Sequence, residues 1–286
     1  MSTSLIPALI PALIPALRSE YRKFVTTRLW WVLLLTMALY LAFLAAVMAF
    51  ALTSDPSGAS MSVPGNEDGA PIPIPPREIA LAVYTLAPSL GYVFPVIVGA
   101  ISVTGEFRHM TITPTLLAEP RRGVVVGAKL LASLPVGLLF GVAGVLATFL
   151  AGAAVLAASG GGTFLTDPHV VEAAVWSAVT LAVWTLVGVG FGTALTNQVV
   201  GIVVILAFTQ IVEPVLRIAF SMIGPLAGVA KWLPGAAGEA IAGSSFYTAT
   251  GLSGILPRWQ GLLVLIGYGL VLAAVGRFTT FSRDIT

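Results

Sequence analysis

The sequence predicts an all-α integral membrane protein with six membrane-spanning helices. Composition and the spacing of apolar runs carry this reading. Of 286 residues, 57% are hydrophobic and only 9% are charged, with a mean hydropathy of +0.99. Soluble domains carry roughly 25% charged residues. Apolar runs recur six times at the length of about 20 residues that a bilayer crossing needs. No polar stretch is long enough to form a separate soluble domain.

The chain starts with a four-residue unit, Leu-Ile-Pro-Ala, repeated from Leu5, Leu9 and Leu13. Proline at every fourth position removes a backbone donor each turn, so no regular helix is expected before Pro15. Residues 1–16 read as a low-complexity extension, or alternatively as an apolar anchor at the membrane surface. They lack the basic start and uninterrupted apolar core of a signal peptide. From residue 17 on, the chain reads as one six-span domain, 17–286. Leu17, Tyr21, Phe24 and Val25 form an apolar stripe among Arg18, Arg22, Lys23 and Arg28. A basic amphipathic helix ahead of an apolar run lies on a membrane surface, and Trp30 and Trp31 then mark the interface.

The expected spans are 29–52, 79–103, one within 124–158, 172–195, 199–220 and 259–278. The stretch 53–78 holds six prolines and reads as an extended loop. Asn197 and Gln198 sit in a tight turn between the fourth and fifth spans. Residues 221–258 are too apolar for a free loop and too short to cross and return. They read as one or two short helices dipping into the outer leaflet or lying on it. Gly188 and Gly192, and likewise Gly137, Gly141 and Gly144, allow close helix packing. Tyr40, Phe43, Trp176 and Trp184 read as packing or lipid-facing aromatics.

Lysine and arginine set the orientation. With the N-terminus inside, ten of the fourteen fall on the inner side: Arg18, Arg22, Lys23, Arg28, Arg108, Arg121, Arg122, Lys129, Arg277 and Arg283. Both termini and the polar island 104–122 are then expected in the cytoplasm.

Several chemistries find no motif. There is no cysteine, so disulfides and thiolate sites are excluded. The two histidines stand in no metal-ligand spacing. No P-loop and no nucleophile elbow occurs, so no catalytic, cofactor or metal residues are assigned. The island 104–122 is the exception in polarity. Gly105 is expected to end the second span. Glu106, Arg108 and His109 follow, and Pro114 suits the first turn of a short helix ending before Pro120. The plain reading is a positive-inside loop; the functional reading is a docking surface for a cytoplasmic partner. Toward the outer end of the fifth span, Glu213 and Arg217 stand four apart and can pair on one helix face. With Gln210, they read as an ion pair at the outer mouth or as part of a substrate exit path.

Thr104-Gly-Glu-Phe-Arg-His-Met-Thr-Ile-Thr, then Leu116-Leu-Ala-Glu-Pro-Arg-Arg, then Gly127-Ala-Lys-Leu-Leu resembles the segment joining the second and third spans in permeases of type-2 ABC exporters. The basic surface helix resembles that family's elbow helix. Met110 stands where the family pattern has a glycine. The resemblance implies a transmembrane subunit of a multi-pass exporter in a prokaryotic plasma membrane. Such a subunit pairs with a second permease half, identical or not, and with separate cytoplasmic ATP-binding-cassette subunits. ATP and magnesium would bind in those subunits. Gly105, Glu106, Phe107, Arg108, His109, Thr111 and Thr113 would form the coupling helix seated in the ATPase. The alternative is a transporter or channel driven by an ion gradient, which needs ionisable residues deep in the spans. The central parts of the spans read as nearly free of them.

Overall fold

The computed structural model describes residues 5–54, 60–61, 72–223, 226–243 and 256–281. Most of the expected proline-rich loop 53–78, and residues 244–254 of the small-residue segment before the last span, lie outside them. Six helical stretches are long and apolar enough to cross a membrane: Leu29–Ser54, Pro76–Arg108, Arg122–Ala158, Pro168–Ala194, Gln198–Phe220 and Arg258–Thr279.

The N-terminal helix α1 spans Leu5–Thr26, which corrects the expectation that helix starts only after Pro15. Pro7, Pro11 and Pro15 are four apart, so they fall on one helical row. The missing donors line up along that row, and the other rows keep their hydrogen bonds. Helix α2 (Leu29–Ser54) follows after a two-residue break. Two dipeptides, Ser60–Met61 and Ile72–Pro73, pair antiparallel. The second span comes in three pieces: α3 (Pro76–Tyr84), a π turn over Ala87–Gly91, and α4 (Val93–Arg108). A short helix α5 (Ile112–Ala118) leads to α6 (Arg122–Ala158). At 37 residues, α6 is about 55 Å long, well beyond a hydrocarbon core of about 30 Å.

Helix α7 (Pro168–Ala194) is the centre of the bundle and packs against α4 and α6. Its N-terminus is capped by Asp167, whose side chain accepts from His169 N and Val170 N. Backbone closeness explains its glycines. A Cβ added at Gly188 would lie 2.8 Å from Val96 Cα in α4, and one at Gly141 in α6 would lie 2.8 Å from Ala178 Cα. Neither position has room for a side chain, as the small-residue pattern led us to expect.

The fifth span is α8 (Gln198–Ala207), a second π turn over Phe208–Val212, and α9 (Glu213–Met222). Asn197 caps α8, accepting from Val199 N and Val200 N, as suits a turn residue. After α10 (Ala227–Ala230), helix α11 (Pro234–Ala242) is buried at every residue and packs on α7 and on the last helix, α12 (Arg258–Thr279). So this segment enters the bundle rather than lying on it. Outward faces of α2, α8 and α12 carry exposed Leu39, Phe43, Val203 and Val271, an apolar surface suited to lipid.

Candidate functional site

Among the described residues the bundle holds two buried polar centres, one at an end and one between the spans. The first gathers where α1, the last turn of α4, α5 and the start of α6 meet. On α1, Glu20 and Lys23 are one turn apart and pair at 2.8 Å. Lys129 Nζ reaches across from α6 and donates to Glu20 Oε2 at 2.8 Å, to Glu106 Oε1 at 2.8 Å and to the Ser102 carbonyl at 3.1 Å. Lys23 Nζ donates to the same Glu106 Oε1 at 2.6 Å and to Thr115 Oγ1 of α5 at 3.2 Å. Two ammonium groups thus interlock with two carboxylates, and the cluster carries no net charge.

Burial makes each charge of this interlock dependent on its partners. The Lys129 side chain is 0% exposed, and Glu20 and Glu106 are nearly as hidden, while Lys23 keeps 37% of its surface. Charges removed from water hold a structure only when each has partners in good geometry. Burial alone would push the Glu20 carboxyl up, but Lys129 and Lys23 outweigh it and hold that carboxyl below the usual range. Burial likewise pulls Lys23 down, yet Glu20 and Glu106 raise its ammonium above the usual lysine value.

Just outside the interlock the chain turns sharply. Gly105 was expected to end the second span, but α4 runs on through it to Arg108. A Cβ at Gly105 would meet only Ile101 Cγ2, at 3.8 Å, so nothing there demands glycine. The break falls at Met110, which holds φ +57°. Met110 N donates to Phe107 O at 3.3 Å and Thr111 N to Glu106 O at 2.9 Å. This is the Schellman arrangement, in which the left-handed position usually belongs to glycine. The residue that departs from the family pattern therefore sits in the backbone conformation that favours glycine.

The seven residues assigned to docking split into two groups. Glu106 points inward and is buried, and Phe107 packs edge-on against Phe281 with ring centroids 5.6 Å apart. Arg108, His109, Thr111 and Thr113 face outward, with Gly105 half-buried between the groups. Glu106 is thus corrected from a surface residue to the hub of an internal cluster. Two ammonium groups compete for one of its oxygens, and that fixes its direction. Next to the outward group, Met110 is 66% exposed and Leu117 is 78% exposed. Ile112 anchors α5 from beneath, fully buried with Val103, Val126 and Phe281.

The second centre lies between the spans, around the stretch 208–217 of the fifth. Glu213 and Arg217 pair as expected, at 2.7 Å. They are not at an open mouth, because Glu213 is 1% exposed and Arg217 is buried too. Arg217 Nη1 also donates to Glu239 Oε2 of α11 at 3.0 Å. Glu213 Oε1 accepts from Ala236 N at 3.1 Å and so caps the buried start of α11 from another helix. Glu213 and Arg217 were expected in the fifth span; the fold adds Glu239, from a helix outside the six spans, so three ionisable groups share one buried site.

Both π turns converge on this centre. In the second, Glu213 N bonds Phe208 O instead of Thr209 O. The next possible donor to Thr209 O is residue 214, a proline without an N–H. The orphaned Thr209 carbonyl accepts the Tyr92 hydroxyl at 3.1 Å, and Gln210 Nε2 donates to that hydroxyl at 3.3 Å. Tyr92 follows directly on the first π turn and stacks on Trp184 with centroids 4.4 Å apart. Buried carbonyls need partners, and here one broken register supplies what the other lacks.

Sequence reasoning missed Glu20, Lys23, Thr115 and Lys129 as a cluster, and Tyr92, Trp184 and Glu239 in the second centre. The signals were faint but present. Glu20 is the one acid among the bases of α1, Lys129 stands alone in an apolar helix, and Glu239 stands alone among alanines and glycines. Among the described residues no group of three or more His, Cys, Asp or Glu side chains is placed to hold a metal ion.

Together, fold and sites define an all-helical chain with six helices suited to span a membrane, a multi-pass membrane protein with a charged interlock at one end. Compared with family models and with curated proteins, the chain matches none.

Proposed function

We propose that the chain is the transmembrane subunit of an ATP-driven exporter, with α1 as the elbow helix and α5 with the turn before it as the coupling element. The observation that carries this reading is the interlock beneath an exposed cap. A short helix stands at one end of the bundle, anchored inward by Ile112, Thr115 and Glu106. Outward it presents Arg108, His109, Met110, Thr111, Thr113 and Leu117. An apolar knob ringed by polar groups suits a protein partner. A push on that cap is delivered to α1, α4 and α6 together, because buried ion pairs tie them. A packed element of this kind can transmit domain motion. The excess of Lys and Arg at this end supports a cytoplasmic location. ATP and magnesium would be held by the partner, and a second permease subunit would complete the pathway.

The test is co-expression with a candidate ATP-binding-cassette ATPase subunit from the same source. In R108A and L117D, the ATPase retained on the purified membrane subunit should fall, with thermal stability unchanged. Full retention together with normal transport in both variants rules out the docking assignment.

The buried Glu213–Arg217–Glu239 centre favours a second reading, a transporter driven by an ion gradient, since intramembrane ionisable groups mark ion paths. ATP-independent, gradient-dependent flux in liposomes holding this chain alone would select it.

A further inference from the structure

The outer face of α1 carries charge that no acidic group among the described residues neutralises. Glu20, the only acid of this helix, is turned inward onto Lys129, and Lys23 is committed to Glu20 and Glu106. The interlock therefore removes one acid and one base together. Arg18 and Arg22 stay exposed, one turn apart on the same row, and neither has an acidic partner among the described residues. They line a surface groove of about 510 Å³ with Ile14, Pro15, Ser19, Thr26 and the stem of the already paired Lys23. Ser19 has no hydrogen-bond partner among the described residues, so its hydroxyl is available. Thr26 already donates to the Arg22 carbonyl.

The groove changes character along its length. Ile14 and Pro15 make one end apolar, and the two guanidinium groups make the middle cationic. Val25 and Tyr21 are exposed on the adjoining row. Only two residues separate α1 from α2, where Trp30 packs at a tilt against Phe24, centroids 5.5 Å apart, and Trp31 is exposed. Tryptophans at the start of a span mark headgroup level. A cationic groove at that level, apolar at one end, complements a molecule with an anionic head and an apolar body.

We propose that this groove binds the phosphate headgroup of an anionic phospholipid. Arg18 and Arg22 hold the phosphate from adjacent turns, Ser19 adds a hydroxyl donor, and the acyl chains run over Ile14 and Pro15. Guanidinium groups suit phosphate because each offers a planar fork of donors. The proposal does not depend on an ATPase partner, and its failure would leave the exporter reading untouched.

The test uses the full chain in neutral detergent with short-chain phosphatidylglycerol as probe, phosphatidylcholine as the uncharged control and inorganic phosphate as the headgroup-free arm. Phosphatidylglycerol should bind saturably and tighter than phosphatidylcholine. A basic side chain near an anionic membrane contributes about 1 kcal/mol, so R18Q and R22Q should each weaken binding about five-fold and the double variant about 25-fold. Phosphatidylcholine binding should not change. Both arginines are exposed, so the variants should melt with wild type. Equal affinity for the two lipids, or unchanged binding in the double variant, overturns the proposal. Inorganic phosphate binding as tightly as the lipid overturns the lipid as source. Unchanged lipid binding with lost ATPase retention in the double variant would assign the groove to a protein instead.

Discussion

Replacing Lys129 by methionine isolates the ammonium group of the interlock. The stem and most of the volume remain, and three hydrogen bonds are lost. Glu20 and Glu106 then share Lys23 as their one ammonium partner, and the cluster is left with one excess negative charge. Removing one partner from a buried ion pair destabilises by ~3–5 kcal/mol, because the other charge stays behind in a poorly hydrated site. At roughly 2 °C per kcal/mol for a chain of this size, melting should fall by about 6–10 °C. Lys23 makes comparable contacts but keeps over a third of its surface in water. Solvent screens it, so K23M should lose about 1 kcal/mol and roughly 2 °C. Adding E20Q to K129M should recover part of the loss by removing the stranded charge. The assay is thermal unfolding of the purified protein in one detergent, followed by tryptophan fluorescence. The reasoning fails if K129M melts within about 2 °C of wild type, or if K23M falls as far as K129M.

Three further outcomes follow from the geometry. The interlock should hold only in a middle pH window. The lowered Glu20 makes its contribution complete above its ordinary value of 4.5 and lost as pH falls through the lowered one. The raised Lys23 makes its contribution complete below 10.5 and lost as pH climbs through the raised value. Wild type should therefore lose more stability than K129M at the acid extreme and more than K23M at the alkaline one, as read from melting curves across pH. M110G should stabilise by about 1 kcal/mol or less, since relief of a left-handed methionine exceeds the added freedom of glycine in the unfolded chain; a lower melting temperature would contradict this. Y92F leaves the Thr209 carbonyl buried without its donor and should cost ~1–3 kcal/mol in the same assay, and a neutral effect would mean that another group satisfies that carbonyl.

The spans were legible because length and hydropathy are local properties. Gln198–Phe220 differs from the expected 199–220 by a single residue. The close packing at Gly188 was legible for the same reason, since G-x-x-x-G is a local pattern. The interlock was not. Glu20 and Lys129 are 109 residues apart and Lys23 and Glu106 are 83 apart. Without the fold, each reads as one more charge beside a membrane. The island 104–122 was readable as a unit, but not which of its side chains turn inward. Glu106 and Arg108 are two apart on a helix, hence on different faces, and only the position of α1 decides which is buried. The helix through Pro7 and Pro11 was misread because the loss of one donor per turn was weighed without regard to the single row on which the losses fall.

The π turn at Phe208–Val212 sets where the second half of the fifth span points. A π turn holds one residue more than the α turn it replaces and takes that residue up within one turn. Were the same residues wound as unbroken α-helix, everything downstream would turn by about 100° relative to α8. Glu213 would leave the start of α11, Arg217 would lose Glu239, and the Thr209 carbonyl would no longer face Tyr92. The span would still be apolar and still long enough to cross. What the extra residue sets is phase, the angle at which the second half of this helix meets the bundle.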